Sequence, residues 1–101
     1  MTDKALKVVL TEKQFESQIK DLAKLYGWKY YHTWRSIHSP AGFPDCVMVR
    51  DANLIFAELK VGKNQPSVEQ YIWLEALARA GQDVFLWYPE DFDEIVEILQ
   101  C

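Results

Sequence analysis

Cysteine is scarce in this chain: Cys46 and Cys101 are the only two among 101 residues. They form no CxxC pair, and no histidine stands near either at zinc spacing, so a disulfide framework and a structural zinc site are both excluded. Cys46 lies in an apolar run and reads as a buried thiol, and the pattern suits a reducing cytosol. Long apolar runs are missing too. No stretch approaches the roughly 18 residues of a membrane span. Residues 1–10 mix acids and bases around a three-residue apolar run, unlike a signal peptide. There is no glycine-rich phosphate loop, so no nucleotide cofactor is expected. Neither a nucleophilic Ser or Cys constellation nor a helix-turn-helix stands out, and there is no internal repeat. One domain over 1–101 is expected, with residues 1–10 as a flexible or edge-pairing lead-in.

Aromatics, by contrast, are plentiful. Four Trp, five Tyr and five Phe exceed what one small core needs, so some should face a partner. The surplus (Trp28, Tyr30, Tyr31, Trp34, Tyr71, Trp73, Trp87, Tyr88) argues for a homodimer. The net charge is −4, which by itself disfavours a nucleic-acid partner. The charge is uneven, however. Residues 28–65 carry five Lys/Arg against three acids and are net +2. A bound divalent cation would raise that further.

Thr11 to Gln14 has the form of a capping box, and Phe15, Ile19, Leu22, Leu25 and Tyr26 follow at helical spacing up to Gly27. This predicts a helix over 12–26. Residues 28–35 are aromatic and β-branched and predict a strand; 36–44 read as a loop. Residues 46–50 and 54–60 predict a hairpin around Asp51-Ala52-Asn53, with Asn53 able to take a left-handed turn conformation. Ser67 and Gln70 form a second capping box, opening a helix that runs to Gly81. A strand over 84–88 and a last helix opened by Pro89 and Asp91 complete the order α-β-β-β-α-β-α. The expected fold is α/β, a mixed four-stranded sheet flanked by helices.

Glu58 and Lys60 end an apolar run, Leu54 to Ala57, that looks like a central strand, where charges are unusual. Two residues apart, they share a face. Asp45 begins the partner strand. If Arg50 pairs with Asn53, Asp45 lies opposite Glu58; if Asp51 pairs with Leu54, it lies opposite Lys60. Either register gathers all three on one face, whereas a three-residue loop pairing Arg50 with Leu54 would split them. Two converging carboxylates call for a divalent cation, and oxygen ligands favour Mg²⁺ or Mn²⁺. Such an ion suits phosphodiester hydrolysis. Lys60 would orient a water or stabilise charge in the transition state, and the Leu59 carbonyl is a further candidate ligand.

Pro44-Asp45 followed by Glu58-Leu59-Lys60 resembles the signature of the PD-(D/E)XK nuclease superfamily. Ala41 to Asp45, Glu58 to Lys60, and Ser67 and Gln70 ahead of Trp73 and Leu77 resemble the VRR-NUC (virus-type replication-repair nuclease) family. Phe15-Glu16 resembles that family's N-terminal acidic position. The match runs over residues 12–88. The resemblance implies a restriction-endonuclease-like core and an Mg²⁺- or Mn²⁺-dependent endonuclease. It further implies a homodimer and branched DNA, such as Holliday junctions or flaps, as substrate. Stand-alone members of this length are typical of phages, which implies the cytoplasm of a bacterial host. Asp45, Glu58 and Lys60 would be catalytic, with Glu16, Asp45, Glu58 and Leu59 around the metal.

Plainer readings stand beside each of these. Asp45 after proline also reads as a turn residue, and Glu58 with Lys60 as an exposed ion pair. Glu16 falls at about +100° from Phe15, just outside the apolar stripe, where it either reaches the sheet end or is solvated. Gln70 reads as a water- or phosphate-positioning group or simply as a cap. Arg35, His38 and Lys63 are candidate DNA contacts or surface residues, and His32 reads the same way. Trp73, Tyr71 and Leu77 read as core or interface. A catalytically silent nucleic-acid-binding or assembly module is the rival function. A restriction-type enzyme ranks lower, for want of a base-reading domain.

Overall fold

The computed structural model describes residues 9–34 and 38–101. α1 (Glu12–Leu25) opens on the capping box: the Thr11 hydroxyl accepts from the Gln14 N–H, and the Gln14 side chain accepts from the Thr11 N–H. These two bonds satisfy donors that a helix start otherwise leaves unpaired. Tyr26 closes the helix, and Gly27 reverses the chain at φ 81°.

β1 (Lys29–His32) is shorter than the predicted 28–35. Trp28 turns into the core instead, where its indole N–H donates to the Leu99 carbonyl at 2.9 Å. At the far end the Thr33 N–H still donates to the Asp45 C=O at 2.8 Å, so the ladder contact runs one residue beyond His32. Arg35 lies outside the described residues.

β2 (Cys46–Arg50) and β3 (Asn53–Leu59) form the hairpin, with Arg50 paired to Asn53 and Cys46 to Ala57. The turn residue at positive φ is Asp51 (54°). Asn53, which could also tolerate that conformation, is already in the strand. A two-residue turn requires the left-handed conformation at its first position, which here falls on Asp51.

α2 (Val68–Arg79) carries the second capping box, from Ser67 and Gln70. β4 (Asp83–Trp87) runs parallel to β3, with Ile55 level with Asp83 and Leu59 level with Trp87. A short 3₁₀ turn (Pro89–Asp91) precedes α3 (Phe92–Gln100), where a single helix from Pro89 was expected. The sheet order is β1-β2-β3-β4, antiparallel except for the last pair. β3 is therefore interior, as its apolar run predicts.

One face of the sheet holds the core. Cys46, Met48, Ile55, Ala57, Leu59 and Trp87 meet Phe15, Ile19 and Ala23 of α1 and Ile95 and Leu99 of α3. Each large side chain buried there contributes about 1.5–3 kcal/mol. The opposite face is thinly covered. α2 lies against β4 without burying any residue fully. Phe43 fills part of the gap, edge-on to Phe56 at 6.0 Å and to Trp73 at 5.0 Å. Of the two readings of Tyr71, core or interface, the core one fails: Tyr71 is nearly half exposed, its hydroxyl donating to the Gln65 side chain. The aromatic surplus thus divides, with Trp28 and Trp87 inside and Tyr31, Trp34 and Tyr71 on the surface.

Candidate active site

The hairpin register decides where the carboxylates go. With Arg50 on Asn53 and Cys46 on Ala57, the next pair along the ladder is Asp45 and Glu58. This is the first of the two converging registers open to the sequence. Asp45 does more than face Glu58. Its Oδ2 accepts the Leu59 N–H at 2.8 Å, which pins the carboxylate against the end of β3. A strand residue presents its N–H and C=O to the same side, so the Leu59 carbonyl also belongs to this end of the hairpin.

Glu58 is the unusual residue. It is fully buried, and among the described residues it is the only polar or charged side chain in that class. Neither of its carboxylate oxygens has a hydrogen-bond partner. Lys60 Nζ stands 3.6 Å from Oε2, inside ion-pair range but too far for a good hydrogen bond. Burial pushes the Glu58 carboxyl up to about 8, the Asp45 charge adds to that rise, and Lys60 opposes it. The plain reading of Glu58 and Lys60 as an exposed surface pair therefore fails. A buried carboxylate with two idle oxygens is costly unless something positive and oxygen-seeking joins it.

Glu16 reaches the same end of the sheet from α1. It lines a cavity of about 390 Å³ together with Glu12, His32, Asp45 and Leu59. Its Oε2 lies 2.6 Å from His32 Nδ1, although the two are out of line for a hydrogen bond. His32 is thus a member of this site rather than a surface histidine. Its place on β1, one residue past Tyr31, turns it toward α1, a signal that strand alternation carries. Tyr30 is the second residue that sequence reasoning missed. Its hydroxyl is buried without a partner, and burial, Cys46 and Glu16 all raise its pKa. Burial likewise raises the Cys46 thiol, which is inert packing.

The structure brings Asp45, Glu58 and Lys60 together and sets Glu16 across the cavity on His32. Among the described residues, no three His, Cys, Asp or Glu side chains are gathered closely enough to hold a metal ion as they stand. The orphaned Glu58 oxygens and the all-oxygen donor set nonetheless fit a hard divalent cation. Gln70 spends its Oε1 on the Ser67 N–H at 2.7 Å, as a cap, while also facing a second cavity beside Asp45. Lys63 and His38 are exposed in loops on either side of the hairpin.

Two solved structures share this fold. One is described as a VRR_NUC domain protein, at a TM-score of 0.69 and 20% identity, covering 92% of this chain and 88% of that one. The other is Archaeoglobus fulgidus Hjc, a Holliday junction resolvase, at a TM-score of 0.58 and 22% identity, covering 76% and 69%. No family model and no curated protein sequence matches the chain. The restriction-endonuclease-like fold is therefore established by structure, with little sequence identity behind it.

Proposed function

We propose that this chain is a divalent-metal-dependent DNA endonuclease that cuts branched DNA, with Asp45, Glu58 and Lys60 as its catalytic residues. The observation that carries the reading is Glu58: a fully buried carboxylate, both oxygens unpartnered, facing Asp45 at the end of an interior strand. Its support is the fold shared with a VRR_NUC domain protein and with a Holliday junction resolvase.

Asp45 and Glu58 would hold the cation, with Glu16 and the Leu59 carbonyl as further ligands. Bound there, Mg²⁺ or Mn²⁺ would neutralise the paired carboxylates and polarise a phosphodiester. The chain's own groups supply the rest. Asp45 is held in place by the Leu59 N–H. Burial of Glu58 keeps bulk water away from its carboxylate and strengthens every charge interaction around it. Lys60, poised beside Glu58, is the cation available to stabilise negative charge that develops at phosphorus. A homodimer would place one such centre on each of two strands of a symmetric junction.

A second reading is favoured by one observation. Glu16 stands against His32 and, among the described residues, no three ligand side chains converge, as in a catalytically silent DNA-binding module. One assay separates the two. Purified protein is incubated with labelled linear, flap and four-way DNA in Mg²⁺, Mn²⁺ or chelator. Metal-dependent cutting, strongest on branched DNA, is expected. Cutting undiminished by chelator refutes the metal mechanism, and binding without cutting in any metal establishes the silent module.

A further inference from the structure

A second cavity, about 790 Å³, opens on the other side of Asp45 and takes no part in the chemistry above. Its walls include Tyr31, Trp34, Phe43, Gln70 and Trp73 as well as Asp45. Three features distinguish it from ordinary surface. Trp34 is 79% exposed and Tyr31 61%, so two large π faces stand open to solvent at its rim. Trp34 is supported from behind rather than covered, its ring meeting His32 edge-to-face at 5.4 Å. The loop that closes the cavity is seated tightly on α2. At Gly42 (φ 99°) a Cβ would fall 2.6 Å from the Glu69 carbonyl, so only glycine permits the approach.

The chemistry of these walls selects a ligand. Open aromatic faces favour a flat π system, and base–aromatic stacking tolerates any base because each has such a face. Gln70 has committed its side-chain oxygen to the Ser67 N–H, leaving its amide NH₂ as a donor toward a polar base edge. Thr33, Trp34 and Asp45 line both cavities, so a ligand here is continuous with one at the carboxylate centre. A base stacked inside a duplex has no free face to offer. We infer that this cavity is a base pocket that takes one unpaired nucleobase of branched or single-stranded DNA, adjoining the Asp45–Glu58 centre. The inference rests on the nuclease reading and deepens it: selection for branched DNA comes from stacking at Trp34 and Tyr31.

The test uses full-length protein and flap DNA carrying 2-aminopurine, a fluorescent base quenched by stacking, at the first unpaired position or at a paired one. Calcium replaces magnesium to limit cleavage, with a repeat in chelator, and anisotropy reports total binding. The wild type should quench the unpaired probe and leave the paired one unchanged. Trp34→Ala should weaken flap binding about tenfold and duplex binding less than about twofold, the former being the scale of one stacked base. Trp34→Phe, which keeps a π face, should restore most of the loss. A bound flap with an unquenched probe overturns the pocket while leaving the nuclease reading intact. So does an equal loss of flap and duplex binding in Trp34→Ala. If that equal loss accompanies a fall in mass by light scattering, the surface belongs to a second copy of the chain. Failure of the wild type to bind any DNA removes the nuclease reading itself.

Discussion

Replacing Glu58 with glutamine isolates the cost of its buried charge. The side chain keeps its size, and the position stays inaccessible to solvent. In the metal-free protein the Glu58 carboxyl is raised to about 8 from its ordinary 4.5, first by burial and then by Asp45. The folded state therefore holds a proton that the unfolded chain has released. Stability from this group is complete below the unfolded value and is lost as pH rises toward the folded one. Between pH 5 and pH 7.5 the wild type should lose about 3 kcal/mol through Glu58, at 1.36 kcal/mol per pH unit once the unfolded group is ionised. In a domain of this size that is a fall in Tm of more than about 10 °C. Glu58→Gln has no proton to lose and should lack this component. Groups that do not interact with Glu58 contribute to both proteins alike and cancel in the difference. The assay is chemical denaturation in chelator across that pH range for both proteins. Saturating divalent metal at pH 7.5 should then stabilise the wild type, by about 2.7 kcal/mol at a hundredfold excess over Kd, and Glu58→Gln much less. Stability profiles that run parallel within about 1 kcal/mol would refute the claim that Glu58 is a strained, cation-seeking carboxylate.

Lys60→Ala should abolish cleavage while calorimetry shows metal binding retained and anisotropy shows DNA binding retained, because its role lies in the transition state. Cleavage at the native rate would remove that role. Gly42→Ala should destabilise the fold by about 1–3 kcal/mol in urea denaturation, from positive φ and the clash with Glu69 together, and an unchanged midpoint would mean the loop is not seated on α2. Light scattering at micromolar protein should report a homodimer with and without four-way DNA. A monomeric mass in both conditions would leave single-strand nicking in place of paired cuts.

Much of this protein is written locally. Both capping boxes, the helical spacing from Phe15 to Leu25 and the hairpin around Asp51 were legible because each is encoded within a few adjacent residues. The sequence also narrowed the hairpin to two registers that converge Asp45 with Glu58 or Lys60, since side-chain alternation leaves few choices. Tertiary structure made the selections that no local pattern contains. The turn residue that went left-handed was Asp51, which set Arg50 on Asn53 and so Asp45 on Glu58. Glu58 looked like a strand-end charge; only packing on every side made it the buried carboxylate it is. The meeting of Glu16 with His32 joins a helix to a strand 16 residues away in sequence. The aromatics, uniform in composition, were sorted by which face of a half-covered sheet they fell on: Trp87 under two helices, Tyr31 in solvent. Burial is a property of all the surrounding elements at once, so a sequence read one segment at a time can name the chemical groups of this site without fixing how dry, how close or how charged they become.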